Sequence, residues 1–291
     1  MNTLVALVTG GSSGIGRESV LALRARGATV YAAARRPMPD LEGRGVRTIA
    51  LDVTDEDSLQ AGVARVLDEA GRIDVLVNNA GYGSYGAIEE VSMAEARRQF
   101  DVNVFGALRI TQLVLPTMIA QGRGRIINIS SMGGRFSMAL GGWYHATKYA
   151  VEALSDALRQ EVRPFGVDVV LVEPGLIHTE WTQIAADHLL ATSGVGKYAD
   201  IAKNFAAGLR LAGPGMASDP SVIGRTVARA ATCARPRTRY RKGLGAIPLT
   251  VMIDLLPDRA YDAIVRLLLT HLGELISLVG GSSATAVTGA R

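Results

Sequence analysis

The chain has 291 residues, 48% hydrophobic and 20% charged, with a formal net charge of +4. That composition is globular; it excludes disorder through most of the chain and carries too little excess base to imply nucleic acid. A lone cysteine, Cys233, excludes a disulfide scaffold and fits a reducing compartment or indifference to one; a cytoplasmic location is expected.

In chain order, residues 1–11 place no basic segment ahead of a short apolar run, so no secretory signal is expected. No stretch reaches the ~18 consecutive apolar residues of a membrane span. Short β-branched runs at 4–8, 29–33, 46–51, 73–77, 125–129 and 167–172 alternate with helical patterns at 16–26, 56–70, 93–120 and 144–164. Unbroken apolar strands are buried on both faces, and strand-helix-strand repetition builds right-handed crossovers. The expected fold is α/β: a doubly wound parallel sheet (Rossmann fold) with helices on both faces, as one domain over residues 1–245.

Beyond Gly175 the pattern changes. Residues 179–216 show little period and end in Gly213-Pro214-Gly215, as in a lid or substrate loop. A helix over 221–234 follows Asp219-Pro220, then a basic strand at 237–242. Arg235, Arg237, Arg239 and Arg241 alternate at period two and, with Lys242, read as a charged edge that discourages strand pairing. Contact with an acidic partner or anionic substrate is the alternative. A C-terminal helical extension is expected over 246–279, with a helix at 255–279. It gathers Ile264, Leu267, Leu268, Leu272, Leu275 and Ile276 on one face, for core packing or a subunit contact. The Gly/Ser/Thr/Ala-rich tail 280–291 is expected to be disordered.

The first strand runs into Thr9-Gly10-Gly11-Ser12-Ser13-Gly14-Ile15-Gly16 and then a helix. That order aims backbone N–H groups and a helix N-terminus at a phosphate. An NAD-type ribose site would place Asp or Glu at the end of the second strand. Here Ala34 is followed by Arg35 and Arg36, with Arg17 near the same corner, and arginine suits a 2′-phosphate. NADP(H) is the expected cofactor. Asp52-Val53 and Asn79-Ala80-Gly81 close the third and fourth strands on the same edge.

Residues 9–16 and 78–81, Asn103, Ser131, Tyr144-x-x-x-Lys148 and Pro174-Gly175 occur in the order and spacing of the classical short-chain dehydrogenase/reductases. The chain resembles that family over about residues 3–245. Tyr144 and Lys148, at i and i+4 of a helix, share a face, and an ammonium there favours the phenolate. Such a tyrosine can protonate an alkoxide or deprotonate an alcohol. The resemblance selects Ser131 over Ser130 to hold the substrate oxygen, and Asn103 to hold a water that relays protons to the lysine. It also implies that Ile177 and Thr179, after Pro174-Gly175, hold the nicotinamide, that Asp52 approaches the adenine and that Asn79 lies on the ribose side. Thr147 stands where the family often has Ser, and His145 is unusual; no histidine and no metal is needed.

Met132, Phe136, Met138, Leu140 and Trp143, with Trp181, Ile184, Leu189 and Leu190, form an apolar set. It suits a lipophilic ketone, aldehyde, steroid- or retinoid-like substrate, or else simply packs the lid. The expected activity is NADPH-dependent carbonyl reduction, reversible as alcohol oxidation, in a homodimer or homotetramer joined through the helices at 93–120 and 144–164. A nucleotide-binding regulator without turnover and a scaffolding protein are the rival readings; intact Ser131, Tyr144 and Lys148 count against the first, and the glycine turn against the second.

Overall fold

β1 (Val5–Thr9) is buried at every position, and alternate residues feed opposite cores: Ala6 and Val8 on one face, Val5 and Leu7 on the other. The computed structural model describes residues 3–211 and 216–280. After β1 come α1 (Gly14–Ala25), β2 (Thr29–Ala34), α2 (Pro39–Glu42), β3 (Arg47–Ala50), α3 (Glu56–Ala70) and β4 (Val75–Asn78). Then follow α4 (Met93–Phe100), a π-helical turn at Asp101–Phe105, α5 (Gly106–Ala120), β5 (Gly124–Ile129), α6 (Gly142–Val162) and β6 (Val167–Pro174). The chain continues through α7 (Glu180–Ser193), α8 (Ala199–Leu211), α9 (Ser221–Thr232), β7 (Arg239–Lys242), α10 (Ala246–Leu255) and α11 (Asp258–Gly280).

The seven strands lie in the order β3-β2-β1-β4-β5-β6-β7, and every pair is parallel. This is the doubly wound α/β sheet expected. Val20 and Leu23 of α1 and Ile223 and Val227 of α9 cover one face; Leu59 and Val66 of α3 and Ile110 and Val114 of α5 cover the other. The chain leaves β1 toward β2 and β3 and returns at β4. The reversal opens a crevice at the carboxyl ends of β1 and β4, where open sheets bind ligands.

Several expectations need correction. The segment 179–216 is no loop, because α7 and α8 form a helical pair. Thr179 caps α7 by accepting from Trp181 N at 3.3 Å, and Ala185, Ala186, Ala202 and Ala206 are small enough to let the helices close together. Residues 213–215 lie outside the described residues. The helix expected at 255–279 starts instead at Asp258: Leu256 is extended, as a residue before proline tends to be, and Pro257 separates α10 from α11. Its packed face is also rotated. Val265 and Leu269 join the α7–α8 core, whereas Leu267 and Leu268 are exposed; the side chains of Leu272, Leu275 and Ile276, and the tail 281–291, lie outside the described set. By length and composition Met93–Ala120 is apolar enough to cross a membrane, although no such segment was expected. Its Ile110, Val114 and Met118 are fully buried in the sheet-facing core.

β7 is an edge strand, but its arginines are not simply a solvated fringe. Arg239 Nη2 lies 3.1 Å from Glu152 and 2.6 Å from Asp156, and its Nε lies 3.0 Å from Glu173. Arg241 Nε reaches Glu173 at 2.8 Å. Glu173 is fully buried, and a buried carboxylate needs a counter-charge, which the basic strand supplies.

Candidate active site

A cleft of about 1100 Å³ follows the carboxyl ends of the strands. It is lined by Gly10, Ser12, Ser13, Gly14, Ile15, Gly16, Arg35, Arg36, Asp52, Val53, Asn79, Ala80 and Gly81 from the first half of the chain. Ser131, Tyr144, Lys148, Pro174, Gly175, Ile177 and Thr179 line the rest. All the expected site residues except Asn103 therefore meet here.

Backbone builds the first end. Gly10 and Gly14 hold φ of 66° and 51°, a left-handed region costly for residues with a Cβ. A Cβ on Gly16 would fall 2.1 Å from Gly10 O. Asn79 lines the cleft and its side chain braces this turn: its Nδ2 donates to Thr9 O at 3.0 Å and Gly10 O at 3.1 Å. Thr9 Oγ1 in turn accepts from Asn79 N and Ala80 N, each at 3.1 Å. Ser13 stands at the N-cap of α1 without a side-chain capping bond, so the first-turn N–H groups remain available to an anion. Arg36 Nη2 donates to Ser13 Oγ at 3.0 Å, placing its guanidinium against the same turn. Arg35 Nη1 lies 4.0 Å from Asp52. Burial would raise the Asp52 carboxyl, but Thr54 N–H and hydroxyl, with Arg35, hold it below the usual range. Arg17, expected at this corner, pairs instead with Asp40 at 2.7 Å. The donor set fits a dinucleotide: open helix N–H groups, a hydroxyl, two arginines and no carboxylate directly after β2.

At the centre, Tyr144 is buried and lines the cleft together with Ser131. Burial pushes the phenol up to about 12, and Ser131 offsets that only in part. The expected lowering by Lys148 is thus not what dominates. Lys148 Nζ lies 6.0 Å from the Tyr144 ring centroid and donates to Ile129 O at 3.0 Å. Burial brings its ammonium down to about 8, while the Glu152 carboxylate, one turn along α6, favours the charged form. Ser130 also lines the cleft, but its Oγ lies on the Glu152 side: a Cβ on Gly134 would meet both Ser130 Oγ and Glu152 Cγ at 2.9 Å. His145 Nδ1 hydrogen-bonds Gly133 O at 2.9 Å, and burial holds the ring below its ordinary 6.5, so it stays neutral.

Asn103 sits behind the cleft, in the π-helical turn. Its Oδ1 accepts from Tyr82 N at 3.0 Å, and its Nδ2 donates to Tyr82 O at 2.8 Å and Thr147 Oγ1 at 3.1 Å. The amide is spent on bracing the Tyr82 loop and α6. Asn103 and Lys148 also border a cavity of about 20 Å³, large enough for one water. Asn78 lines it too, and its Oδ1 is buried without a protein partner among the described residues.

Side chains build the far end. Met132, Phe136, Met138, Trp181 and Ile184 line it as expected. Leu140 and Leu189 are buried in the adjoining core and Leu190 packs against it, while Trp143 is half-buried away from the cleft. Tyr82, Tyr85, His188, Phe205 and Leu209 also line the cleft and were not anticipated. Phe205 and Leu209 are i and i+4 on α8, and with Ala202 and Ala206 they form a helical stripe that the sequence does carry.

The sequence matches the short chain dehydrogenase family over residues 4–189. It is 34% identical over 268 residues to a probable short-chain type dehydrogenase/reductase, VdlC, of Helicobacter pylori, covering 90% of this chain and 97% of that one. It is 39% identical over 211 residues to a 3-ketodihydrosphingosine reductase of Bacteroides thetaiotaomicron, covering 72% of this chain and 76% of the relative. Among solved structures, a short-chain dehydrogenase from Streptomyces avermitilis superposes with a TM-score of 0.74 at 34% identity, over 97% of this chain and 99% of its own. The closed form of a serine dehydrogenase complexed with NADP+ gives 0.72 at 26% identity, over 82% and 94%.

Proposed function

The chain belongs to the short-chain dehydrogenase family, oxidoreductases that act on carbonyl or alcohol groups with a nicotinamide cofactor, and from that premise we propose that it is an NADPH-dependent reductase of lipophilic carbonyl compounds. The observation that carries this reading is the buried Tyr144 phenol set beside Ser131 in the cleft, one helical turn from Lys148. Ser12, Ser13, Gly14 and Ile15 would hold the pyrophosphate, and Arg35 and Arg36 a 2′-phosphate. Ala34, where a ribose-binding carboxylate would otherwise stand, supports NADP(H) over NAD(H). When bound, the reduced nicotinamide supplies the hydride.

The chain's own residues supply the rest. Ser131 donates to the substrate oxygen and fixes it. Tyr144, whose phenol stays protonated up to about 12, gives its proton to that oxygen. Lys148 would hold the ribose, and the cavity between Asn103 and Lys148 suits a water that returns the proton. The apolar wall of Phe136, Met138, Trp181 and Leu209 supports a lipophilic substrate. Exposed Phe105 and Leu154 on the α5–α6 side support a homodimer or homotetramer.

The test is NADPH oxidation at 340 nm with a panel of ketones and aldehydes, repeated with NADH. Wild type is expected to prefer NADPH, and Arg35→Asp to shift preference toward NADH. Tyr144→Phe keeps the ring and should bind NADPH normally in a fluorescence titration, yet lose ~10²–10⁴-fold in turnover. Near-full activity in that variant, or equal kcat/KM with both cofactors, contradicts the reading.

A further inference from the structure

Tyr85 lies on the segment between β4 and α4 and faces the reacting centre. It is 5% exposed, lines the cleft, and stacks on Tyr144 with ring centroids 5.4 Å apart and planes at 31°. Trp181 and Phe205 meet it edge-on at 5.9 and 5.5 Å. Its backbone surroundings are fixed: Gly86 N donates to Leu140 O at 2.7 Å, and Ala87 N to Ser193 Oγ at 2.9 Å. The ring is therefore held in place against Tyr144. Among the described residues its hydroxyl makes no hydrogen bond to the protein, and the residue lines the cleft, where a ligand can meet it. Phenylalanine would fill the same cage without leaving a polar atom unmet.

We propose that the Tyr85 hydroxyl is a second substrate-oxygen subsite, and that the preferred substrate is a ketone or aldehyde bearing a neutral oxygen one or two carbons from the reacting carbonyl. This rests on the carbonyl-reductase reading above. The Tyr85 and Tyr144 rings lie 5.4 Å apart on the same cleft wall, so the two phenols serve one neighbourhood of the cleft. Burial raises that phenol well above its ordinary 10, so it stays protonated and donates. The oxygen it meets is neutral, because the rings packed on Tyr85, those of Tyr144, Trp181, Phe205 and the neutral His145, offer a carboxylate no cation. Ser131 and Tyr144 hold the carbonyl oxygen, Tyr85 holds the neighbour, and the pair of contacts sets which face of the carbonyl is presented.

The experiment compares ketones that differ by methyl for hydroxyl, such as propiophenone and α-hydroxyacetophenone, with matched β-substituted pairs, on wild type and Tyr85→Phe. Wild type should favour the hydroxyl member by roughly 10- to 100-fold in kcat/KM, the discrimination expected of a buried donor left unpaired by the analogue. In Tyr85→Phe that ratio should collapse to near one. A thermal melt and an NADPH titration confirm that the variant is folded and binds cofactor. Turnover without the preference, or a preference that survives Tyr85→Phe, overturns the subsite alone. No turnover on any ketone or aldehyde overturns the reductase reading and the subsite with it.

Discussion

At one end of the cleft the wall is main chain: Gly10 and Gly16 press against one another and against Asn79, and Gly14 lies against Thr179, leaving N–H groups as the contact surface. At the other end it is ring against ring, with Tyr85 from the segment after β4, Tyr144 from α6, Trp181 from α7 and Phe205 from α8. The first end recognises a ligand by atoms every residue possesses, so its shape depends on side chains being absent. The second depends on which side chains are present and can be repacked by substitution. Cofactor recognition should thus be brittle, and substrate recognition adjustable.

The sharpest way to break that contrast is Gly16→Val. Its Cβ would stand 2.1 Å from Gly10 O and 2.4 Å from Asn79 Nδ2, so the turn must open. Overpacking of this kind costs about 1–3 kcal/mol in stability, and binding should suffer more than folding. NADPH should no longer register in a fluorescence titration, and turnover should vanish. A variant that binds NADPH as wild type does would show that the glycines serve packing alone.

Phe205→Ala probes the other end. Phe205 is buried between Tyr85 and the α7–α8 core, and losing such a ring costs about 3–5 kcal/mol. Denaturant unfolding should report that loss, and KM for a bulky ketone should rise, while NADPH affinity stays at the wild-type value. A parallel fall in NADPH affinity would mean that the two ends are one cooperative unit.

The same contrast explains what was legible beforehand. The glycine turn is contiguous in sequence, and Tyr144 and Lys148 are one helical turn apart, so spacing alone exposes both. The ring cage is assembled from elements far apart in the chain, and no local period joins Tyr85 to Phe205. Within α8 the stripe of Ala202, Phe205, Ala206 and Leu209 was present, but alanines blur the apolar contrast that marks a helix face. Arg239 and Arg241 showed their strand period, yet their partners Glu152 and Glu173 come from α6 and β6, so pairing into the protein could not be read from the strand itself. Asn103 was found by position; its bonds to Tyr82 and Thr147 depend on the π-helical turn that spacing does not reveal.

Glu152 joins the centre of the cleft to this edge and yields the smallest effect, a shift along the pH axis. Lys148 is surrounded by Ile129 O, the Tyr144 ring and, one turn on, Glu152. Glu152 itself faces Arg239 of β7, the Glu173 carboxylate of β6 and Ser130 at the end of β5, and burial raises its carboxyl. Burial lowers the lysine to about 8 and the Glu152 charge opposes that fall. Carbonyl reduction uses the ammonium together with a protonated Tyr144, so kcat/KM should be level below about pH 8 and decline above it as Lys148 loses its proton. Glu152→Gln removes the charge that favours the ammonium. The lysine's proton then leaves more easily, and the descending limb moves to lower pH, by about one unit if the pair behaves as a typical close opposite charge. Arg239 keeps Asp156 and Glu173, so β7 stays tied to the sheet and the shift is not a consequence of a lost edge. A limb that stays near pH 8 in Glu152→Gln would mean that Lys148 is governed by burial alone.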